Sequence, residues 1–253
     1  MTRHIKNGIY PLIGIAVIVI VWQIYTQAFD ISRIVLPSPT DILWASVANW
    51  KTLLRESWPT FFESVLGFGL AIVIGIPFAV CVATSRVLNL TLYPILIATQ
   101  SIPKVAVAPI ILVWFGLGME SKLVIAFLVA FFPIVVDTAA GMRATPPGLL
   151  ELARSLRATA LQVFVKVQFP AALPFIFAGS KVAVTLAVIG AVIGEFIGAH
   201  EGLGNLLLAA NSQLDGPLAW AALVWLSALG IALFAAIALI ERVVMPWSEA
   251  GHH

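Results

Sequence analysis

Residues 64–85 read SVLGFGLAIVIGIPFAVCVATS, a run closed by Glu63 on one side and Arg86 on the other with no charge between them. At about 1.5 Å of helical rise per residue, such a run crosses the roughly 30 Å hydrocarbon core of a bilayer. Two more stretches pass the same test outright, Asn7 to Phe29 and Gly216 to Ile240. Three others reach membrane length only when one charge is admitted inside or at the edge: 90–115 around Lys104, 121–141 with Asp137 and 178–198 with Glu195. Composition agrees, since 61% of the 253 residues are hydrophobic and 10% charged, which excludes a soluble globular domain and a disordered chain alike. A net charge of +2 without a basic stripe argues against nucleic-acid binding, and the single cysteine, Cys81, rules out an intrachain disulfide.

The expected architecture is an all-α membrane protein, one domain over 1–253, with six transmembrane helices at about 9–28, 62–85, 90–115, 121–141, 178–198 and 217–240. Six spans put both termini on one side. With the ends in the cytoplasm, Arg3, Lys6, Arg86, Arg143, Arg154, Arg157, Lys166 and Arg242 lie inside, against Arg33, Lys51, Arg55 and Lys122 outside. That excess favours cytoplasmic N and C termini. Arg3 and Lys6 before the first apolar run imitate a signal peptide, but the run is too long and no small-x-small cleavage site follows, so it reads as a retained anchor. Pro39 to Trp58 then falls outside. There Ile42, Leu43, Val47, Trp50, Leu53, Leu54 and Trp58 recur at helical spacing, as an interfacial helix or a packed loop helix.

The longest cytoplasmic segment, 142–176, opens on Pro146, Pro147 and Gly148, which stop a continuing helix. Leu149, Leu152, Ala153, Leu156 and Ala160 next fall on one helical face, with Glu151, Arg154, Ser155 and Arg157 largely elsewhere, and Val163, Phe164 and Val167 continue the period. An amphipathic helical pair outside the bilayer is expected, closed by Pro170 and Pro174. Its apolar face has two destinations, the membrane surface or a groove on a partner protein.

The spacing of this loop resembles the signature of permease subunits of ATP-binding-cassette (ABC) importers: Glu-Ala-Ala, three residues, Gly, nine residues, Ile-x-Leu-Pro. Here Glu151, Leu152 and Ala153 are followed at the same intervals by Arg157 and by Val167, Gln168, Phe169 and Pro170. Leu152 replaces the second alanine, and Arg157 replaces the glycine, which puts the family's turn geometry in question at that position. The likeness continues through Leu36-Pro37-Ser38-Pro39, Ser101-Ile102-Pro103-Lys104, Ala108-Pro109, Trp114-Phe115-Gly116-Leu117-Gly118, Phe132-Pro133, Ala178-Gly179, Gly202-Leu203-Gly204 and Glu241-Arg242. These are similar to the branch importing nitrate, sulfonates, taurine, bicarbonate and related small nutrients, and to members handling pyrimidine vitamin precursors, riboflavin and aromatic acids.

The resemblance implies a type I importer permease fold in a bacterial inner membrane. It further implies a second permease copy, as a homodimer, two separate ATPase subunits that hold ATP and Mg, and an external or periplasmic substrate-binding protein; no cofactor is bound by this chain. The coupling helix, Leu149 to Ala160, would rest in an ATPase groove through Leu149, Glu151, Leu152, Ala153, Leu156, Arg157 and Ala158. Burying about 400 Å² of apolar surface there is worth on the order of 10 kcal/mol before the costs of association. Glu151 is expected to hold the helix start, with Arg154 as its i,i+3 partner or as a merely solvated neighbour.

A charge at the bilayer centre costs about 2.5–3.5 kcal/mol, so ionisable residues inside spans face a cavity or a partner. Glu195 stands beside the series Gly190, Gly194, Gly198 and Gly202, whose spacing makes a smooth ridge for packing against a neighbouring helix or the second copy. It is expected either on the translocation pathway near an external gate or as a buried acid bonded to another helix. Lys104 follows Pro103, where a kink opens room for a polar cavity, the alternative being snorkelling to the interface. Asp137 and Lys181 are expected near the membrane interface.

No Walker A loop exists, since Ala178-Gly179-Ser180-Lys181 has the wrong order, so ATP hydrolysis is expected on another chain. His200-Glu201 lacks the second histidine of a zinc-protease motif, with Gly204 in its place, and no Gly-x-Ser-x-Gly turn occurs. Neither catalytic nor metal-binding residues are expected. His252 and His253 close the chain in the manner of a purification tag. A stand-alone secondary transporter or channel is the competing class, but the ionisable midplane sites in paired halves that mark such proteins are sparse here.

Overall fold

The computed structural model describes residues 2–198 and 200–246, with the side chains of all of these except 2–9, 11 and 12. His252 and His253, and the side chains of Arg3 and Lys6, lie outside the described residues. The elements are α1 (Thr2–Ala28), α2 (Pro39–Ala48), α3 (Trp50–Thr84), α4 (Arg86–Thr99), α5 (Lys104–Phe115), α6 (Met119–Arg143), α7 (Pro147–Ser155), α8 (Ala160–Val163), α9 (Phe169–Gly198), α10 (Leu203–Ser212) and α11 (Gly216–Val244), with a π turn over Phe164–Gln168.

α6 runs between α3 and α9, and glycine brings the three together. A Cβ added at Gly67 or Gly75 of α3 would strike Ala126 or Ile134; one at Gly179, Gly190 or Gly194 of α9 would strike Asp137, Ala126 or Lys122. Along α3 the partner's number rises with the glycine's, so α3 and α6 are parallel. Along α9 it falls, so α9 is antiparallel to both. Lipid gives helices no hydrophobic reason to associate, and close backbone approach supplies the dispersion energy instead. The predicted ridge of Gly190, Gly194 and Gly198 therefore has its partner inside the chain: the first two meet α6, and Gly198 meets Leu117 just before it. Phe68, Ala71, Ala130, Ile134, Ala183, Val184 and Ala187 fill the middle of this sandwich.

Around the core, α11 is capped by Asp215, whose side chain accepts the Leu218 N–H, and packs on α9, α10 and α2. Trp22 of α1 meets Trp220 of α11 with ring centroids 5.3 Å apart. Ser38 starts α2 with a capping box to Asp41, and Gln23 of α1 bonds Thr40.

Among the described residues, four helices are long and apolar enough to cross a membrane: α3, α6, the run Ala160–Gly198 and α11. Ile13–Ala28 is a shorter apolar helix. Over the span expected at 90–115 the chain forms a bent pair, α4 and α5, turned by 97° between Thr99 and Lys104. With 14 and 12 residues the two helices are only about 21 and 18 Å long, too short to cross singly. Pro103 is the reason, since it lacks an N–H and forces the preceding residue out of helical geometry.

Three other boundaries move. The segment Pro39 to Trp58 is two pieces, α2 and the opening turns of α3, so the helix that holds the second expected span starts at Trp50. The helix that holds the fifth expected span begins at Phe169, and Pro170 and Pro174 lie within it instead of closing the loop. The π turn explains this: Phe169 N–H reaches back to the Phe164 carbonyl, and that wider turn accommodates a proline that would clash in a regular helix. The coupling helix ends at Ser155 rather than Ala160, because the chain turns left-handed at Arg157.

Candidate functional site

At the end of the bundle that carries α7, apolar side chains stand out from the surface. Leu149, Leu152, Leu156 and Leu161 are exposed, Leu156 by 73%, and of the predicted face only Ala153 is buried. Pro146 and Pro147 start α7, and its end is a Schellman turn: Arg157 N–H donates to the Arg154 carbonyl at 2.9 Å and Ala158 N–H to that of Ala153 at 3.0 Å. Arg157 has φ +53°, so it adopts the left-handed conformation that a glycine would take freely, at a cost of about 1 kcal/mol. The substitution changes the residue and keeps the turn. Thr159 then opens α8 with a capping box to Gln162.

Glu151 lies beyond the first turn of α7, where it is too far along to cap the helix start, and among the described residues no ion pair joins it to Arg154. Glu151, Leu152 and Arg157 are all exposed.

The second feature is the elbow between α4 and α5. α4 starts near the ridge end, where Arg143 of α6 donates to Asn89 at 2.9 Å and stacks over Tyr93. The elbow then reaches the level of Phe131 and Phe132, midway along α6. Lys104, the first residue of α5, lines a cavity of about 270 Å³ there with Thr99, Gln100, Leu128, Phe131 and Phe132. Thr99, Gln100 and Ser101 are exposed. Polar, uncovered side chains half-way along a bundle of membrane length are costly against lipid and at home against water.

The third feature is at the far end. Glu195, 1% exposed, accepts Thr60 Oγ1 at 2.6 Å on one oxygen and Gly204 N–H at 2.5 Å on the other. Thr60 Oγ1 in turn accepts Leu203 N–H at 2.9 Å, and Glu56 accepts Gly202 N–H at 2.8 Å. Three side chains from α3 and α9 thus satisfy three consecutive amides that a helix start leaves free. Gly202, at φ +110°, is the one residue type that fits, for any Cβ there would enter the Glu195 carboxylate. Of its two expected settings, Glu195 occupies the one bonded to another helix.

Beside it lies a pair that reading the residues singly does not assemble. Lys122, counted in the sequence only among the external basic residues, is 7% exposed and donates to Glu63 at 2.6 Å. Its burial has a simple cause: α6 begins at Met119, and Lys122 faces Glu63 of the parallel α3 and Gly194 of α9. Glu63, Lys122, His200 and Glu201 line a cavity of about 390 Å³ with Trp58 and Phe62. One available signal was the Gly202-x-Gly204 pattern close after Glu195; another was Glu63, which reads as the end of a run yet sits one residue from it.

Asp137 faces Gly179 of α9, half-buried. Lys181 pairs with Glu241, in the last turn of α11, at 2.5 Å, partly buried between two helices.

Known proteins match this arrangement. The profile of the family described as "Binding-protein-dependent transport system inner membrane component" matches residues 71–246. The formylaminopyrimidine transport permease protein ThiX of Halalkalibacterium halodurans is 35% identical over 244 residues, covering 96% of this chain and 97% of its own length. The riboflavin transport system permease protein RibX of Chloroflexus aurantiacus is 33% identical, covering 98% and 95%. Among solved structures, an inward-facing conformation of the MetNI methionine ABC transporter superposes with a TM-score of 0.68 at 25% identity, covering 78% of this chain and 98% of that one.

Proposed function

Because the chain belongs to the binding-protein-dependent transport system inner membrane components, and is the permease of an ABC importer for a small nutrient with its ATPase on separate subunits, we propose a specific division of labour along its length. The leucine ridge of α7 and α8 is the ATPase-coupling surface, the α4–α5 elbow lines the translocation pathway, and the clamped turn before α10 shapes the outer gate. The chain crosses the membrane six times, α1 and the bent pair included, with both ends in the cytoplasm. Two copies form the pathway, two ATPase subunits holding ATP and Mg drive it, and an external binding protein delivers the substrate.

The observation that carries this reading is the ridge. Four leucines exposed on two short helices, next to the basic Arg143, Arg154, Arg157 and Lys166, form an apolar surface on the side that positive charge marks as cytoplasmic. Exclusion from water favours seating it in a groove. Leu149, Leu152 and Leu156 are the anchors, and Glu151, Arg157 and Ala158 surround them. ATP-driven closure of the ATPases would then tilt the ridge and turn the pathway from inward to outward facing.

Lys104 at the elbow presents one cation among Thr99, Gln100 and the rings of Phe131 and Phe132. Aromatic walls with a few hydrogen-bonding groups suit a small heterocycle better than an inorganic anion, which needs donors on all sides. The relatives named for formylaminopyrimidine and riboflavin support this class. Glu195 acts at the outer gate through the turn it holds.

Co-purification tests the assignment. The wild-type chain retains an ATPase and, with its binding protein in liposomes, takes up substrate only with ATP; uptake by the lone chain without ATP refutes it.

A further inference from the structure

The bonds at the outer end do more than satisfy a helix start. α10 lies in the connection between α9 and α11, and with 10 residues it cannot cross the membrane. Its amides at Gly202, Leu203 and Gly204 are held by Glu56 and Thr60 of α3 and by Glu195 of α9. Thr60 bonds in both directions, its hydroxyl donating to Glu195 while its oxygen accepts Leu203 N–H, so a single buried atom ties three helices. A step away, the buried Lys122–Glu63 pair ties α6 to α3. Leu203 itself is fully buried, in one cluster with Leu53 of α3, Val188 of α9 and Ala221, Ala222 and Leu226 of α11. Polar bonds and apolar packing thus fasten the same joint. Buried hydrogen bonds of this kind are costly to break because water is not at hand to replace them.

We propose that Thr60 and Glu195 are positioning residues that weld α10 to α3 and α9, so that the outer ends of these helices travel as one body during transport. The opening that admits substrate then forms between this body and its neighbours, not by α10 lifting away from its own chain. This rests on the importer reading. It adds what that reading leaves open, namely which parts of the outer gate stay fixed relative to one another.

Hydrogen exchange tests the weld directly and requires no knowledge of the substrate. The full complex, permease with its ATPase subunits in nanodiscs, is compared without nucleotide and with ATP trapped by a hydrolysis-defective ATPase. Equal protection of the 202–204 amides in both states is expected. Loss of that protection in the ATP-trapped state overturns the proposal.

Thr60→Val removes the shared hydroxyl, and Glu195→Gln sets an NH₂ group against one of the two donors its carboxylate now accepts. Each should speed exchange of the 202–204 amides about tenfold and raise ATP hydrolysis in the absence of binding protein. Thr60→Ser, which keeps the hydroxyl, should restore both. Faster exchange with wild-type ATP hydrolysis would mean a merely structural bond and reject the positioning role, as would unchanged exchange. Should a variant fail to assemble, the two-state comparison on wild type still decides. A wrong importer reading shows itself differently, as a wild-type chain that retains no ATPase at all.

Discussion

The two ends of this molecule solve opposite problems. At the end that holds the turn before α10, Glu56, Thr60, Glu63, Lys122 and Glu195 find partners within the chain. At the other, Leu149, Leu152, Leu156 and Leu161 are left uncovered. One end ties its buried polar groups together within the chain; the other leaves an apolar face uncovered. Stability should therefore respond to substitutions at the first, and association to substitutions at the second.

The sharpest test of that division is Lys122→Met, which strands the Glu63 carboxylate and should lower the stability of the isolated permease by about 3–5 kcal/mol, read by unfolding in detergent. Adding Glu63→Leu should recover most of the loss; no recovery would show that the pair is not the unit. Next, Leu152→Asp with Leu156→Asp should leave unfolding unchanged while weakening ATPase retention about a hundredfold, measured by titrating the ATPase onto immobilised permease. A destabilised but fully associating variant would erase the contrast between the ends.

Much of this was legible in the sequence, and the reasons differ by element. Charge-free runs mark α3 and α11 because desolvating a charge dominates every other term in a bilayer. The helical spacing of Gly190, Gly194 and Gly198 revealed a packing ridge, but its partner was hidden because α6 carries no matching pattern, only Ala126 and the stem of Lys122. Pro103 announced a break, but not one of 97°, since the angle depends on where α5 packs against α6 and α9. Buried charges were the hardest. Glu63 and Lys122 resemble span boundaries when read singly and become a pair only once α3 and α6 lie parallel.

The core between the ends gives a smaller effect. Gly190→Ala places a methyl 2.7 Å from the Ala126 Cα and should cost about 2 kcal/mol of unfolding free energy, while Gly230→Ala, with nothing within 4 Å, should be neutral. Smallest of all, Arg157→Gly should relieve the left-handed strain and raise stability by up to about 1 kcal/mol. If it also weakens ATPase retention in the titration above, the arginine side chain contributes to docking and the turn alone does not explain it.

The π turn has a mechanical consequence. Since Phe164–Gln168 carries the chain from α8 into α9 without a loop, Ala160–Gly198 forms one 39-residue rod, about 58 Å long. Leu161 projects near one tip and Glu195 near the other. In the proposed coupling, a torque applied at the first tip would have no slack segment in which to dissipate and would arrive at the second as displacement: the drive shaft would be a single piece of backbone.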